Sequence, residues 1–235
     1  MKAFLKSLFY FLDAHVPVLG NLLLRLFLGE TQRGLKASIQ GKENEIKTEG
    51  ALLSGVELDI IGDYNRITID PGSVVNQLKF HVRGSNHCIE IGPGCRISRG
   101  GSFWIEDQGC TLKIGRNTTM VDVHIAVTEP GSRVVVGEEC MFANDIDIRT
   151  GDSHSILEAA TRERINFAGD VVIGDHVWVA AHAILLKGVQ IGRDSVVAAG
   201  AIVTKSCDPG VILAGNPAKV IKTGITWNRE RIQKS

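Results

Sequence analysis

The stretch "TGDSHSILEAATRERINFAG", residues 150–169, holds the side chain best suited to moving a proton. His154 stands there among polar residues. Imidazole is the side chain whose ordinary titration falls between pH 5 and 8, so it can take a proton and return it. Just upstream, Asp145, Asp147 and Arg149 alternate with the aliphatic Ile146 and Ile148. The alternation predicts that the charged residues face outward, as contacts to a polar substrate or as a solvated face. Covalent catalysis has no such support. There is no GxSxG, and none of the five cysteines (Cys88, Cys95, Cys110, Cys140, Cys207) lies in the His154 segment. An odd cysteine count without a CxxC pair argues against a zinc ribbon or a disulfide framework, and favours reduced thiols in the cytoplasm. A metal reading rests on two histidine pairs, His81 with His87 and His176 with His182. Each pair is six residues apart, a spacing expected to stack its members at similar turn positions.

The elements that must position these residues follow from "IGDHVWVAAHAILLKGVQIGRDSVVAAGAIVTKS", residues 173–206. Ile173, Val179, Leu185, Ile191, Val197 and Val203 recur every six residues, usually followed by a small residue. A helix would put residues six apart on opposed faces, and a plain strand repeats every two. A short strand followed by a tight turn explains the period of six, with three units closing one triangular coil. The predicted fold is therefore all-β, a parallel β-helix of hexapeptide repeats. Val136, Phe142 and Ile148 extend the pattern upstream, and before them the coils look irregular. The segment 150–169 has no such pattern and reads as a loop extruded from the coil, a length usually reserved for function.

Composition narrows the function classes. The chain has 235 residues with 26 basic and 26 acidic, so no net field attracts nucleic acid. The first thirty residues are apolar, but Lys6, Asp13 and Arg25 interrupt them, and the longest uncharged run, Ala14–Leu24, is too short to span a bilayer. Residues 1–50 are expected to form an apolar helical cap, with residues 1–30 either packing on the coils or lying on a membrane surface. Residues 51–222 are expected to form the β-helix domain and 223–235 a tail.

Four segments, "IGDHVWVAAHAIL", "VVAAGAIVTKS", "AGNPAKVI" and a looped "TGDSH" upstream of Trp178, resemble the hexapeptide-repeat acyltransferases. "IRTGDSHSI…RIN" followed by "IGDHVW" is most similar to the bacterial capsule and polysaccharide O-acetyltransferases. The resemblance implies a left-handed coil, a homotrimer, and acetyl-CoA bound in grooves between neighbouring β-helices. It further implies that His154 is the catalytic base and that the Trp178 ring lies beside the reacting centre. Ala181, Ala199, Thr204 and Lys205 match positions lining the CoA groove, and Lys219 and Lys222 match basic tail positions near the nucleotide. "VWVAAH" departs from the commoner "VWIG", and "KSCDPGV" from the usual "KDVP" turn. The expected activity is acetyl transfer to a hydroxyl of a surface polysaccharide or its precursor. It would proceed by direct attack, with no metal, in the cytoplasm or at the inner face of the membrane; Asp145, Asp147 and Arg149 are candidate acceptor contacts. Other readings are a sugar-nucleotide N-acetyltransferase, a metal enzyme similar to the γ-class carbonic anhydrases, and a non-catalytic scaffold. Against the metal enzyme stands the absence of a histidine pair five residues apart.

Overall fold

The computed structural model describes residues 34–233. Among these residues, 24 strands form three faces of eight, seven and nine strands. Consecutive strands fall on successive faces, so the chain winds as a triangular coil. All pairings are parallel until the last, where β24 (Lys219–Thr223) runs antiparallel to β23 (Val211–Ala214). The inward positions named by the hexapeptide period are buried: Ile173, Val179, Leu185, Ile191, Val197 and Val203 are each at most 2% exposed. They join one core cluster running the length of the coil, in which Phe80 and Phe103 meet edge to face at 5.4 Å.

The amino-terminal coils are regular, though not in units of six. On the first face Leu58 pairs with Phe80, Phe80 with Phe103, Phe103 with Ile125, and Ile125 with Ile148, so each coil consumes more than three such units. Towards the carboxyl end Leu185 pairs with Val203, three units of six further on. The surplus lies in the first-face strands and, to a lesser extent, in the second-face strands. Val56–Ile61 and Leu78–Arg83 are six residues long, whereas Ile184–Leu185 and Ile202–Val203 are two. A lengthened strand adds one or two alternations per coil and erases the sixfold phase without changing the wall it builds.

Two further expectations need revision. The first strand, Leu35–Gln40, already belongs to the coil, so residues 35–50 are not part of a helical cap. Residues 1–33, with the membrane-surface expectation for 1–30, lie outside the described residues. Among the described residues no helix is long and apolar enough to cross a membrane. The histidine pairs do not stack along the coil axis: His81 lies within the first-face strand Leu78–Arg83 and His87 just before the second-face strand Cys88–Ile91, while His176 and His182 occupy successive corners of one coil. His176 and His182 both take positive φ (53° and 61°) at turns, but on either side of β18 (Trp178–Val179). His87 is buried, its Nδ1 accepting from the Cys110 amide at 3.1 Å and its Nε2 lying 3.2 Å from the Arg83 carbonyl. That arrangement assigns the neutral Nε2–H tautomer.

All five cysteines are free, and burial pushes the Cys95, Cys110 and Cys140 thiols up to about 11. The unfolded thiols lose protons near pH 9 and the folded ones near 11, so stability should fall as pH rises across that interval. Ellman titration of the native protein should leave these three thiols unreacted and should detect them after unfolding. Rapid native reaction of all five would contradict the packing.

Candidate active site

The loop leaves the coil after β16 (Ile146–Arg149) and returns at β17 (Val171–Ile173), at the corner between the first and second faces. Its neck is closed by hydrogen bonds. The Thr128 amide donates to Thr150 Oγ1 at 2.9 Å, that hydroxyl donates back to the Thr128 carbonyl at 3.0 Å, and the Gly169 amide donates to the Thr150 carbonyl at 2.9 Å. Gly151 is buried here, and an added Cβ would come within 2.7 Å of Thr128 Oγ1. Beyond the neck, residues 156–165 fold as a small antiparallel hairpin with Leu157 opposite Arg164.

Asn166 organises the arch that carries His154. It is 7% exposed, and its Nδ2 donates to the His154 carbonyl at 2.7 Å and to Asp152 Oδ2 at 2.9 Å. Its Oδ1 accepts from the Ile156 amide at 2.7 Å and from Arg164 Nε at 3.2 Å. Two ion pairs bolt this unit to the coils on either side: Arg164 to Glu129 and Lys187 to Asp152. The Lys187 ammonium holds the Asp152 carboxyl below the usual carboxylate range. The backbone of His154 is thus fixed while its imidazole is exposed and unpartnered among the described residues. The motif "RIN" contains Asn166 but assigns it no task, because nothing in the local pattern reveals that its amide spans twelve residues. Asn166→Ala should keep the coil folded and lower activity about ten- to hundred-fold, since displacement of a catalytic group by about an ångström carries that cost. Unchanged activity would remove Asn166 from the site.

The other expected site residues fall into two groups. Thr204 and Lys205 lie at the same corner as the loop, with Lys205 one coil beyond Lys187. Trp178 projects from the third face, and Ala181 and Ala199 lie at its junction with the first, where the Gly200 amide donates to the Ala181 carbonyl at 2.9 Å. Lys219 and Lys222 are exposed on β24, on that third face. In a triangular coil the first–second corner is opposite the third face. His154 and Trp178 of one chain therefore point apart. Asp147 and Arg149 do face outward on the first face, where they pair with each other, and Asp145 lies 3.5 Å from His182.

The loop sequence predicts a polar segment, yet Ile156, Leu157, Ile165 and Phe167 are 37–64% exposed on it. Four large apolar groups held out on one arch form the kind of patch that another surface covers. Trp178 has its own company on the third face. After β24 the tail runs back along the second–third corner, crossing one coil after another. The Ile225 amide donates to the Gly210 carbonyl, Thr226 Oγ1 donates to Asp194, and Trp227 Nε1 donates to the His176 carbonyl at 2.7 Å. Trp227 stacks on His176 at 4.4 Å and lies 6.0 Å from Trp178, ring to ring. Neither Trp227 nor the tail's path was legible in the sequence. A separate cleft of about 590 Å³, lined by Glu43, Tyr64, Arg66 and Asn86, lies on the amino-terminal coils away from the loop.

A parallel β-helix of hexapeptide coils with one histidine-bearing loop defines a class, and comparison with known proteins gives the same class. A family model described as bacterial transferase hexapeptide (six repeats) matches residues 170–205. The polysialic acid O-acetyltransferase of Neisseria meningitidis is 34% identical over 190 residues, which cover 72% of this chain and 88% of that protein. The polysialic acid O-acetyltransferase of Escherichia coli O1:K1 / APEC is 35% identical over 125 residues, 53% of this chain and only 40% of the length of that relative. The crystal structure of the polysialic acid O-acetyltransferase OatWY superposes with a TM-score of 0.80 at 30% identity, covering 85% of this chain and 94% of the other. The chain belongs to the hexapeptide-repeat acetyltransferases, the left-handed parallel β-helix enzymes.

Proposed function

We propose that the protein is an acetyl-CoA-dependent O-acetyltransferase acting on a hydroxyl of a bacterial surface polysaccharide or its precursor. Its proposed active unit is a homotrimer. The observation that carries this reading is the His154 arch: a fixed backbone presenting a free imidazole at a corner, next to coils of an acetyltransferase. His154 takes the proton of the acceptor hydroxyl as that oxygen bonds to the acetyl carbon. The carbon–sulfur bond of the donor breaks, and His154 returns the proton to the departing sulfur. The Trp178 indole N–H, or a backbone amide beside it, meets the charge developing on the carbonyl oxygen.

The residues present suit the donor. Ala181 and Ala199 keep side-chain bulk low at the edge of the third face, and a Cβ on Gly200 would have nothing within 4 Å, so a slender chain has room to lie there. Exposed Lys205, Lys219 and Lys222 supply cations for phosphates at the carboxyl end. Acetyl-CoA, when bound, supplies the activated acyl group.

The opposed placement of His154 and Trp178 supports the trimer. A ring of copies puts the first–second corner of one chain against the third face of the next, which brings His154 beside the neighbour's Trp178 and covers the apolar loop residues. Burial of each such side chain is worth about 1.5–3 kcal/mol. The polysaccharide acceptor is proposed by analogy with the polysialic acid enzymes, and the cytoplasm as compartment because an odd cysteine count without a CxxC pair favours reduced thiols. The test is acceptor-dependent thiol release from acetyl-CoA by the purified chain, with a panel of bacterial polysaccharides. Failure to bind CoA would overturn the reading. Fractionation of the full chain against a deletion of residues 1–30 checks whether it works beside a membrane; equal partition would exclude an anchor there.

A further inference from the structure

The first–second corner carries a second feature, several coils before the loop. One left-handed turn position there is filled on successive coils by Glu43, Tyr64, Asn86, Gly109 and Gly131, with φ between 54° and 76°. From Tyr64 onward, the amide of each donates to the carbonyl just before the same position one coil earlier, so the five stand in one column. Glycine and asparagine are ordinary occupants of that conformation, and a bulky aromatic is not. Tyr64 is also 52% exposed, so its ring returns little packing for the strain. Backbone strain kept at an exposed side chain points to a use.

Tyr64 stands over the cleft of about 590 Å³ on these coils. The floor of the cleft is fixed. Asn44 Oδ1 accepts from the Asn65 amide and Asn65 Oδ1 from the His87 amide, each at 3.0 Å. The same two side chains donate from Nδ2 to the Gly62 and Gly84 carbonyls at 2.8 and 3.0 Å. The rim keeps free groups instead. The Tyr64 hydroxyl, the Asn86 side-chain amide and the Glu43 carboxylate have no partner among the described residues. The Arg66 guanidinium is already shared between Cys88 Sγ at 3.4 Å and Glu90 at 3.9 Å, so the cleft offers no free cation to an anion.

We propose that this cleft is a docking subsite for an uncharged sugar unit of a polysaccharide, remote from the reacting hydroxyl. The apolar face of a pyranose lies on the Tyr64 ring, Glu43 accepts from its hydroxyls, and Asn86 both donates and accepts. The link to the acceptor rests on the transferase reading. Gly131 lies beside the loop neck at Thr128, and Tyr64 is three coils away, roughly 14 Å at the spacing of paired strands. Gly109 and Gly131 leave that path open, since a Cβ on either would meet nothing within 4 Å. An extended sugar chain with one hydroxyl at the loop therefore reaches Tyr64 along the corner.

Equilibrium binding to the intact protein without CoA tests the subsite apart from catalysis. The probes are tetramers of glucose, galactose, mannose and N-acetylglucosamine, with tetragalacturonate as the charged counterpart of the galactose tetramer. At least one neutral tetramer should bind. Tyr64→Ala should weaken it about ten-fold, and Tyr64→Phe should keep most of the affinity because the ring face remains. No binding of any neutral tetramer, unchanged affinity in Tyr64→Ala, or tighter binding of tetragalacturonate would each overturn the proposal. So would lost binding accompanied by a changed sedimentation coefficient, which would make the cleft a contact between copies. In acetyl transfer, Tyr64→Ala should raise KM about ten-fold for acceptors long enough to span the corner. An unchanged KM for those acceptors would overturn the docking role. Tyr64-dependent sugar binding in a protein that releases no thiol would keep the subsite and overturn the transferase reading instead.

Discussion

Alanine at His154 should lower acceptor-dependent thiol release on the order of 10²- to 10⁴-fold, the range that a positioned general base contributes. CoA binding and the melting temperature should stay near those of the native protein. The stability expectation follows from the structure. The contacts that fix the arch use the His154 carbonyl and the side chains of Asp152, Arg164, Asn166 and Lys187, and none of them uses the imidazole. His154→Ala therefore removes the proposed proton carrier without loosening its support. Steady-state thiol release, with CoA affinity measured separately, checks both halves. A loss smaller than about ten-fold with the fold intact would mean that another group takes the proton.

Mixing two inactive variants should restore activity. Trp178→Ala is expected to cost about 10²–10³-fold if the indole N–H meets the developing oxyanion. In one chain Trp178 and His154 lie on opposite sides of the coil, so the proposed trimer would build each site from His154 of one copy and Trp178 of the next. When His154→Ala and Trp178→Ala chains are unfolded together in equal amounts and refolded as random trimers, about a quarter of the interfaces carry both native residues. Activity should return to roughly that fraction of the native level. The same two proteins mixed without exchange should stay near zero. No recovery after proven exchange would place both residues in a single-chain site and would contradict the topology. The four exposed apolar residues of the loop are what such an interface covers, so Phe167→Ser and Ile165→Ser should weaken assembly in the same direction.

How much of this is legible in the sequence depends on how local each cause is. The period of six from Ile173 to Val203 is a local pattern, because each unit closes its own turn and buries its own aliphatic. The carboxyl-terminal coils match it residue for residue. The loop is legible as a gap in that period. The amino-terminal coils look irregular in sequence because strands such as Leu78–Arg83 add alternations that keep the wall but break the count. The histidine pairs mislead for a related reason. Between His176 and His182 six residues advance the chain by one corner, and between His81 and His87 they lead from a first-face strand to the start of the second face, so neither pair returns to the same edge.

The sequence by itself determined the coil, the extruded loop, the inward ladder and the family, because a hexapeptide repeat records its geometry in residue types at fixed short separations. Only the tertiary structure decided which groups share a site. Asn166 reaches back twelve residues to hold the His154 carbonyl, and Arg229 reaches the Cys140 carbonyl 89 residues away. His154 and Trp178, near each other in sequence, end on opposite sides of one prism. Placement around a triangular coil depends on the residues that each coil consumes and on the corner at which a loop departs. Those quantities accumulate along the whole chain and are written in no single motif.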